Sequence, residues 1–152
     1  MDGQLLESFQ EKLAEPVSKE DYQQVLAGLV TQLRAERGCL WLERENKFLY
    51  EGDEGLRKEF PFSRQAVDSV LDRGRSFVSY DTESDARLEP TGSIRVNKVR
   101  SCLCAACYDG KGGLIAVAYF DNGMSFGMFA ESDLELLKKV LSLFPGALPV
   151  AA

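Results

Sequence analysis

The sequence predicts an α+β domain, an antiparallel sheet with helices from both chain ends available to cover one face. Three observations predict it. The apolar period changes along the chain in the order helix, helix, strand, strand, helix, strand, irregular, strand, strand, helix. Two of the strand pairs are joined by connections so short that they read as hairpins. The strands at 99–108 and 113–120 are apolar on both faces, as central strands covered on both sides are.

Each element has its own local reason. Leu5, Leu6, Phe9 and Leu13 form a short helical stripe that ends before Pro16. Ser18 is placed to cap a second helix with Asp21 in its first turn, where negative charge is favoured. Tyr22, Val25, Leu26, Leu29, Val30 and Leu33 then recur at helical spacing, and Gly38 is expected to end that helix. Residues 39–42 and 47–50 are strands around a Glu45-Asn46 turn. Ser63 is placed to cap a helix over 63–73, with Ala66, Val67, Val70 and Leu71 facing inward and Gly74 ending it. Residues 76–80 form a short strand, and 81–97 are polar and irregular. Asp109-Gly110-Lys111-Gly112-Gly113 is a glycine-rich hairpin turn between the last two strands, and Asp121-Asn122-Gly123 is expected to be another turn. Leu134, Leu137, Val140, Leu141 and Phe144 mark a final helix over about 130–144.

Length and composition bound the function. The chain has 152 residues, which suits one domain of the common size of about 100–150 residues. The expected division is a helical extension at 1–17, the core at 18–146 and a tail at 147–152. There is no histidine, which removes His-based acid/base chemistry, Ser-His-Asp and Cys-His pairs, and imidazole ligation of zinc or haem. Lysine and arginine number 18 against 24 acids, a formal charge of −6 that disfavours polyanionic partners such as DNA or anionic membranes. No apolar run approaches the roughly 18 residues of a membrane span, and the N-terminus lacks the basic start and apolar run of a signal peptide. A cytoplasmic location is therefore expected, with Cys39, Cys102, Cys104 and Cys107 as thiols.

The stretch 35–144 resembles a GAF domain, a small-molecule-sensing module of signalling proteins. The resemblance lies in the helix leading into Ala35-Glu36-Arg37-Gly38-Cys39-Leu40-Trp41-Leu42, and in the helix at 63–74 followed by Arg75-Ser76-Phe77-Val78. It continues in Val99-Arg100-Ser101-Cys102-Leu103-Cys104-Ala105-Ala106, in Gly113-Leu114-Ile115-Ala116-Val117-Ala118-Tyr119-Phe120-Asp121-Asn122, and in Phe129 with Asp133-Leu134-Glu135-Leu136-Leu137. It implies a PAS-like and profilin-like central antiparallel sheet of five to six strands. The terminal helices would lie on one face; the mid-domain helix and irregular segment would enclose a pocket on the other. It also implies a homodimer through the terminal helices, which continue into output domains. The Leu5, Leu6, Phe9 and Leu13 stripe is then either packing on its own domain or a dimer contact.

Laid on the pattern of cyclic-nucleotide-binding members, the resemblance places Cys39, Tyr50, Glu51, Val67, Arg95 and Val99 at ligand-binding positions. Tyr50-Glu51 would stack a base and hold its edge, and Arg95 would neutralise an anion. The alternative is that Tyr50 closes a core edge while Glu51 and Arg95 are solvated. Departures from the family argue against its known ligands. Asn122-Gly123 and Asp133-Leu134 stand where nucleotide binders carry Asn-Lys and Asp-Glu, so the lock between that lysine and glutamate is absent. Haem-binding members need a histidine, and bilin-binding ones a cysteine in the irregular segment; residues 81–98 contain neither. No cofactor is expected.

The cysteines admit a second function. Strand alternation points Cys102 and Cys104 to one face and Cys107 to the other, which does not converge as a metal site must. Buried structural thiols are the plain reading, and a thiol redox sensor or redox enzyme using Cys102, Cys104 or Cys107 is the alternative. The strand-embedded cysteines do not match the glycine-rich loops of family members that reduce methionine sulfoxide. Asp81, Glu83, Asp85 and Glu89 lack the glycine of a calcium loop, and the turn at 109–113 lacks a P-loop ending. The expected function is a noncatalytic sensory and dimerisation module of a signal-transduction or transcription-regulatory protein. It would bind an unknown small ligand and act on an output domain or partner protein, with no direct nucleic-acid or membrane contact.

Overall fold

The computed structural model describes residues 2–14, 17–52, 77–79, 101–123 and 129–149. The elements are α1 (Asp2–Lys12), α2 (Lys19–Leu33), β1 (Arg37–Leu42), β2 (Lys47–Gly52), β3 (Phe77–Ser79), β4 (Ser101–Tyr108), β5 (Leu114–Asn122) and α3 (Glu131–Leu141). Among the described residues the strands form one five-stranded sheet in the order β2-β1-β5-β4-β3, with every neighbouring pair antiparallel. This is the α+β, GAF-like sheet that the sequence predicts. The expected helix at 63–74, the irregular segment at 81–97, and the candidates Val67, Arg95 and Val99 lie outside the described residues.

Strand parity divides the core in two. One side holds Leu40 and Leu42 of β1, Leu103, Ala105 and Cys107 of β4, and Ala118 and Phe120 of β5, packed against the apolar faces of α1, α2 and α3. The other side holds Cys39, Tyr50, Cys102, Cys104, Ala106, Val117 and Tyr119, with Trp41, Phe48, Tyr108 and Leu114 packed around them. The terminal helices thus share one face. Phe9 and Leu13 are buried within this chain, and the Phe9 ring lies over Gly28 of α2. Phe9 and Leu13 of the N-terminal stripe thus pack on their own domain, with Leu5 and Leu6 partly buried beside them.

The second helix starts where its cap predicts. Ser18 Oγ accepts the Asp21 N–H at 3.0 Å, and Asp21 Oδ2 accepts the Ser18 N–H at 3.1 Å, closing a capping box. Its end differs from expectation. The helix stops at Leu33, with Arg34 left-handed at φ 56°. Gly38 lies inside β1 instead, facing α2. A Cβ there would come within 2.7 Å of the Phe120 ring and of Val30 Cγ2, so glycine serves close helix–sheet approach rather than helix termination.

The expected turn at Asp121-Asn122 is also different, because both residues belong to β5. Asn122 accounts for this: its Nδ2 donates to the Arg34 carbonyl at 3.1 Å, and its Oδ1 accepts the Glu36 N–H. These bonds fasten the α2–β1 connection to the end of β5. The glycine-rich turn forms as predicted, with Asp109 Oδ1 accepting the N–H groups of Lys111 at 2.9 Å and Gly113 at 2.8 Å. At α3, Asp133 Oδ2 accepts the Ala130 N–H at 2.8 Å, satisfying a backbone donor at the helix start.

Candidate functional site

The sheet face opposite the helices carries the chemistry. Antiparallel register sets Tyr50, Cys39, Tyr119 and Cys104 in one row across β2, β1, β5 and β4. The next row runs Gly52, Arg37, Asp121 and Cys102. The first row is apolar, aromatic and sulfur-rich. The second holds a charge pair.

Arg37 and Asp121 meet in a bidentate contact, Nε to Oδ1 at 2.9 Å and Nη2 to Oδ2 at 2.8 Å. The Tyr119 hydroxyl adds a third bond, donating to Asp121 Oδ2 at 3.0 Å. Arg37 is 5% exposed, Asp121 2% and Tyr119 0%. Burial lifts the Asp121 carboxyl above its ordinary value, opposed by the Arg37 guanidinium and the Tyr119 hydroxyl. Three donated hydrogen bonds on two oxygens form the environment of an ionised carboxylate. Burial, then the Asp121 charge, pushes the Tyr119 phenol well above its ordinary value, so it stays a donor. The Tyr50 hydroxyl leans over Gly52, where an added Cβ would lie 2.8 Å from it, beside the Arg37 row.

Of the sequence-predicted ligand residues, the structure brings Cys39 and Tyr50 together on this face. Glu51 sits on the opposite one. Its Oε1 accepts from Gln23 Nε2 at 3.2 Å, and the same Gln23 amide donates to the Tyr50 carbonyl at 3.0 Å, tying the edge strand to α2. Arg37, Asp121 and Tyr119 were not among the sequence-predicted site residues. Parity is the signal that could have found them, since Arg37 alternates with Cys39, and Asp121 with Tyr119.

The thiols divide as alternation predicts, Cys102 and Cys104 on the face opposite α1, α2 and α3 and Cys107 on the other. Cys39 joins the first two. All four are thiols, outside any disulfide, and at most 1% exposed. Burial holds Cys39 and Cys104 well above the ordinary thiol value and pushes Cys107 up to about 12, so each stays protonated at neutral pH. Among the described residues, no group of three or more His, Cys, Asp or Glu could hold a metal ion. Among them, too, no helix is long and apolar enough to cross a membrane.

A separate cavity of about 400 Å³ opens on the helix-bearing side, lined by Val17, Tyr22, Leu42, Arg44, Glu45, Ile115 and Pro145. Cys39, Tyr50 and Glu51, the described ligand candidates, do not line it.

The fold recurs in solved structures. The A. aeolicus nlh2 GAF domain in an inactive state is 15% identical, with 93% of this chain and 91% of that one covered and a TM-score of 0.62. The free methionine-R-sulfoxide reductase of Neisseria meningitidis, in complex with its substrate, is 17% identical, with 95% and 89% covered and a TM-score of 0.63. The GAF domain of a phosphoenolpyruvate-protein phosphotransferase from Coxiella burnetii is 14% identical, with 93% and 89% covered and a TM-score of 0.63. At these identities the likeness is one of fold. No curated protein matches the chain by sequence. The GAF domain family model matches residues 20–146, which span α2 to the turn after α3. The chain therefore belongs to the GAF domain family, whose members are in general sensory and regulatory modules.

Proposed function

We propose that this GAF domain is a noncatalytic sensor that takes a small ligand on the face of its sheet opposite α1, α2 and α3. The observation that carries this reading is the buried Arg37–Asp121–Tyr119 cluster beside the Tyr50–Cys39–Tyr119–Cys104 row. Titratable groups shifted by burial and by specific partners concentrate at functional sites. The row supplies an apolar, aromatic surface, and the adjoining polar cluster supplies directional groups, the usual composition of a small-molecule site. Arg37 is already neutralised by Asp121, which favours an uncharged ligand over an anion among the groups described. Val67, Arg95 and Val99 remain candidate contributors from the connections on either side of β3.

The signal would travel through the sheet to the helices on its other face. A ligand can shift that equilibrium only as far as its affinities for two states differ. The output is a partner protein or a further domain of a cytoplasmic signal-transduction or transcription-regulatory protein, and a homodimer through the terminal helices would relay it. The similar structures include a methionine sulfoxide reductase, so the fold also hosts catalysis. The noncatalytic reading is supported by the burial and raised pKa values of the thiols, since a thiolate is the reactive form.

Native mass spectrometry of protein purified from cells tests the proposal. An added small-molecule mass, retained under gentle ionisation and lost on denaturation, is the expected result. Only the bare chain mass across independent preparations would count against it.

A further inference from the structure

The cavity on the helix-bearing face has a chemistry of its own, independent of the site proposed above. It lies where four parts of the chain meet: the start of α2, the β1–β2 hairpin, the start of β5 and the turn after α3. Leu42 and Ile115 form a buried apolar floor, and Tyr22 closes one wall, its ring centroid 5.5 Å from that of Phe144. Val17 and Pro145 complete the apolar lining. A volume of about 400 Å³ falls within the range of roughly 300–1,000 Å³ typical of small-ligand sites.

Two adjacent hairpin residues, Arg44 and Glu45, bring opposite charges to this cavity, and both are exposed. The Arg44 guanidinium lies beside the turn after α3, with Nη2 3.4 Å from where a Gly146 Cβ would stand. Its contact with Asp109 is 3.6 Å, longer than a hydrogen bond, and the two side chains are 52% and 28% exposed. Such a loose surface pair exchanges readily for a ligand carboxylate. Of the two charged residues that line the cavity, Glu45 would meet a simple anion as a like charge, and Arg44 would so meet a simple cation. A zwitterion meets neither conflict, because its two ends can face the two opposite charges.

We propose that this cavity is a second small-molecule site, taking a free α-amino acid with a large apolar side chain. The side chain lies on the Leu42–Ile115 floor, the carboxylate faces Arg44 and the ammonium faces Glu45. Because Val17, Tyr22 and Pro145 belong to the segments that enter α2 and leave α3, an occupant touches both at once. Occupancy would therefore bias how the two terminal segments sit against each other, by its differential affinity for their arrangements.

The probe is L-phenylalanine, titrated into isotope-labelled full-length protein and followed by backbone amide NMR. Its deaminated and decarboxylated analogues, 3-phenylpropionate and phenethylamine, are run beside it. Shifts should cluster at Leu42, Arg44, Glu45 and Ile115 and leave Cys39 and Tyr119 unmoved. Each analogue should bind roughly three- to fivefold more weakly, as expected for exposed charge contacts. Arg44→Gln should abolish the preference over phenethylamine, and Glu45→Gln the preference over 3-phenylpropionate. Both changes are on the exposed hairpin, so folding is not at stake. Binding of phenylalanine no tighter than both analogues, shifts centred on the Cys39 face, or no shift up to its solubility limit would each overturn the proposal. A failure here leaves the opposite face of the sheet untouched, since its residues are read separately in the same spectra.

Discussion

Arg37 and Asp121 face each other across β1 and β5 as register partners, and their side chains close a bidentate ion pair that is almost wholly buried. Removing one partner strands the other charge away from water. Such a loss typically costs about 3–5 kcal/mol, whereas replacing both by apolar residues of similar volume is often neutral. Asp121→Ala should accordingly lower the urea unfolding free energy by about 3 kcal/mol or more. Arg37→Met combined with Asp121→Leu should be less destabilised than Asp121→Ala alone. Equal losses in single and double variants would show that the two charges are not coupled.

Gly38 makes a steric prediction. An added methyl would sit 2.7 Å from the Phe120 ring, which is fully buried and has nowhere to turn. Overpacking of this kind costs about 1–3 kcal/mol. Gly38→Ala should therefore lower stability by that amount, and adding Val30→Ala should recover part of it by vacating the second contact at Val30 Cγ2. Chemical denaturation of the two variants reads the difference; an unaffected Gly38→Ala would refute the close-approach role.

The four thiols predict silence toward a thiol reagent. Each is at most 1% exposed, so labelling requires an opening of the fold. Rates should be negligible under native conditions and rise together with unfolding in urea. Fast native labelling of Cys102, Cys104 or Cys107 would instead favour the redox reading of these strands.

Alkaline pH should destabilise the fold. The Cys107 thiol is raised from 9.0 to about 12 in the folded state, and Cys39 and Cys104 are raised well above 9.0. For a raised pKa, the folded state holds the proton longer than the unfolded chain. The associated stability is complete below the unfolded value and is lost as pH rises from there toward the folded value. Each thiol contributes a slope of up to about 1.4 kcal/mol per pH unit in that window. Thermal unfolding followed from pH 8.5 to about pH 11 should show falling midpoints. Cys107→Ala should flatten the decline by one group's share; an unchanged slope would remove Cys107 from the account.

How much was legible follows from which forces are local. The Ser18 capping box and the splitting of the β4 thiols between faces need only a few neighbouring residues, and both could be read directly. Gly38 misled because a glycine past an apolar helical run suits a helix stop, while its real constraint comes from Phe120, far along the chain. Asp121-Asn122-Gly123 has turn composition, yet Asp121 is held in β5 by Arg37, 84 residues away. Asn122 is held by Arg34, 88 residues away. Such pairings leave no local periodicity. Adjacency suggests that Tyr50 and Glu51 act together, but strand alternation sends them to opposite faces. Only the first shares a face with Cys39.

Fluorine NMR of 3-fluorotyrosine-labelled protein reads directly whether a small molecule binds on the face of Tyr119 and Tyr50. Spectra of natively purified protein are compared with the same protein after denaturation, exhaustive dialysis and refolding, with resonances assigned by Tyr→Phe variants. Stripping is expected to move the Tyr119 and Tyr50 resonances, which share one face of the sheet, and returning the small-molecule extract to restore them. Identical spectra before and after stripping, or changes that spare both Tyr119 and Tyr50, would refute a ligand on this face.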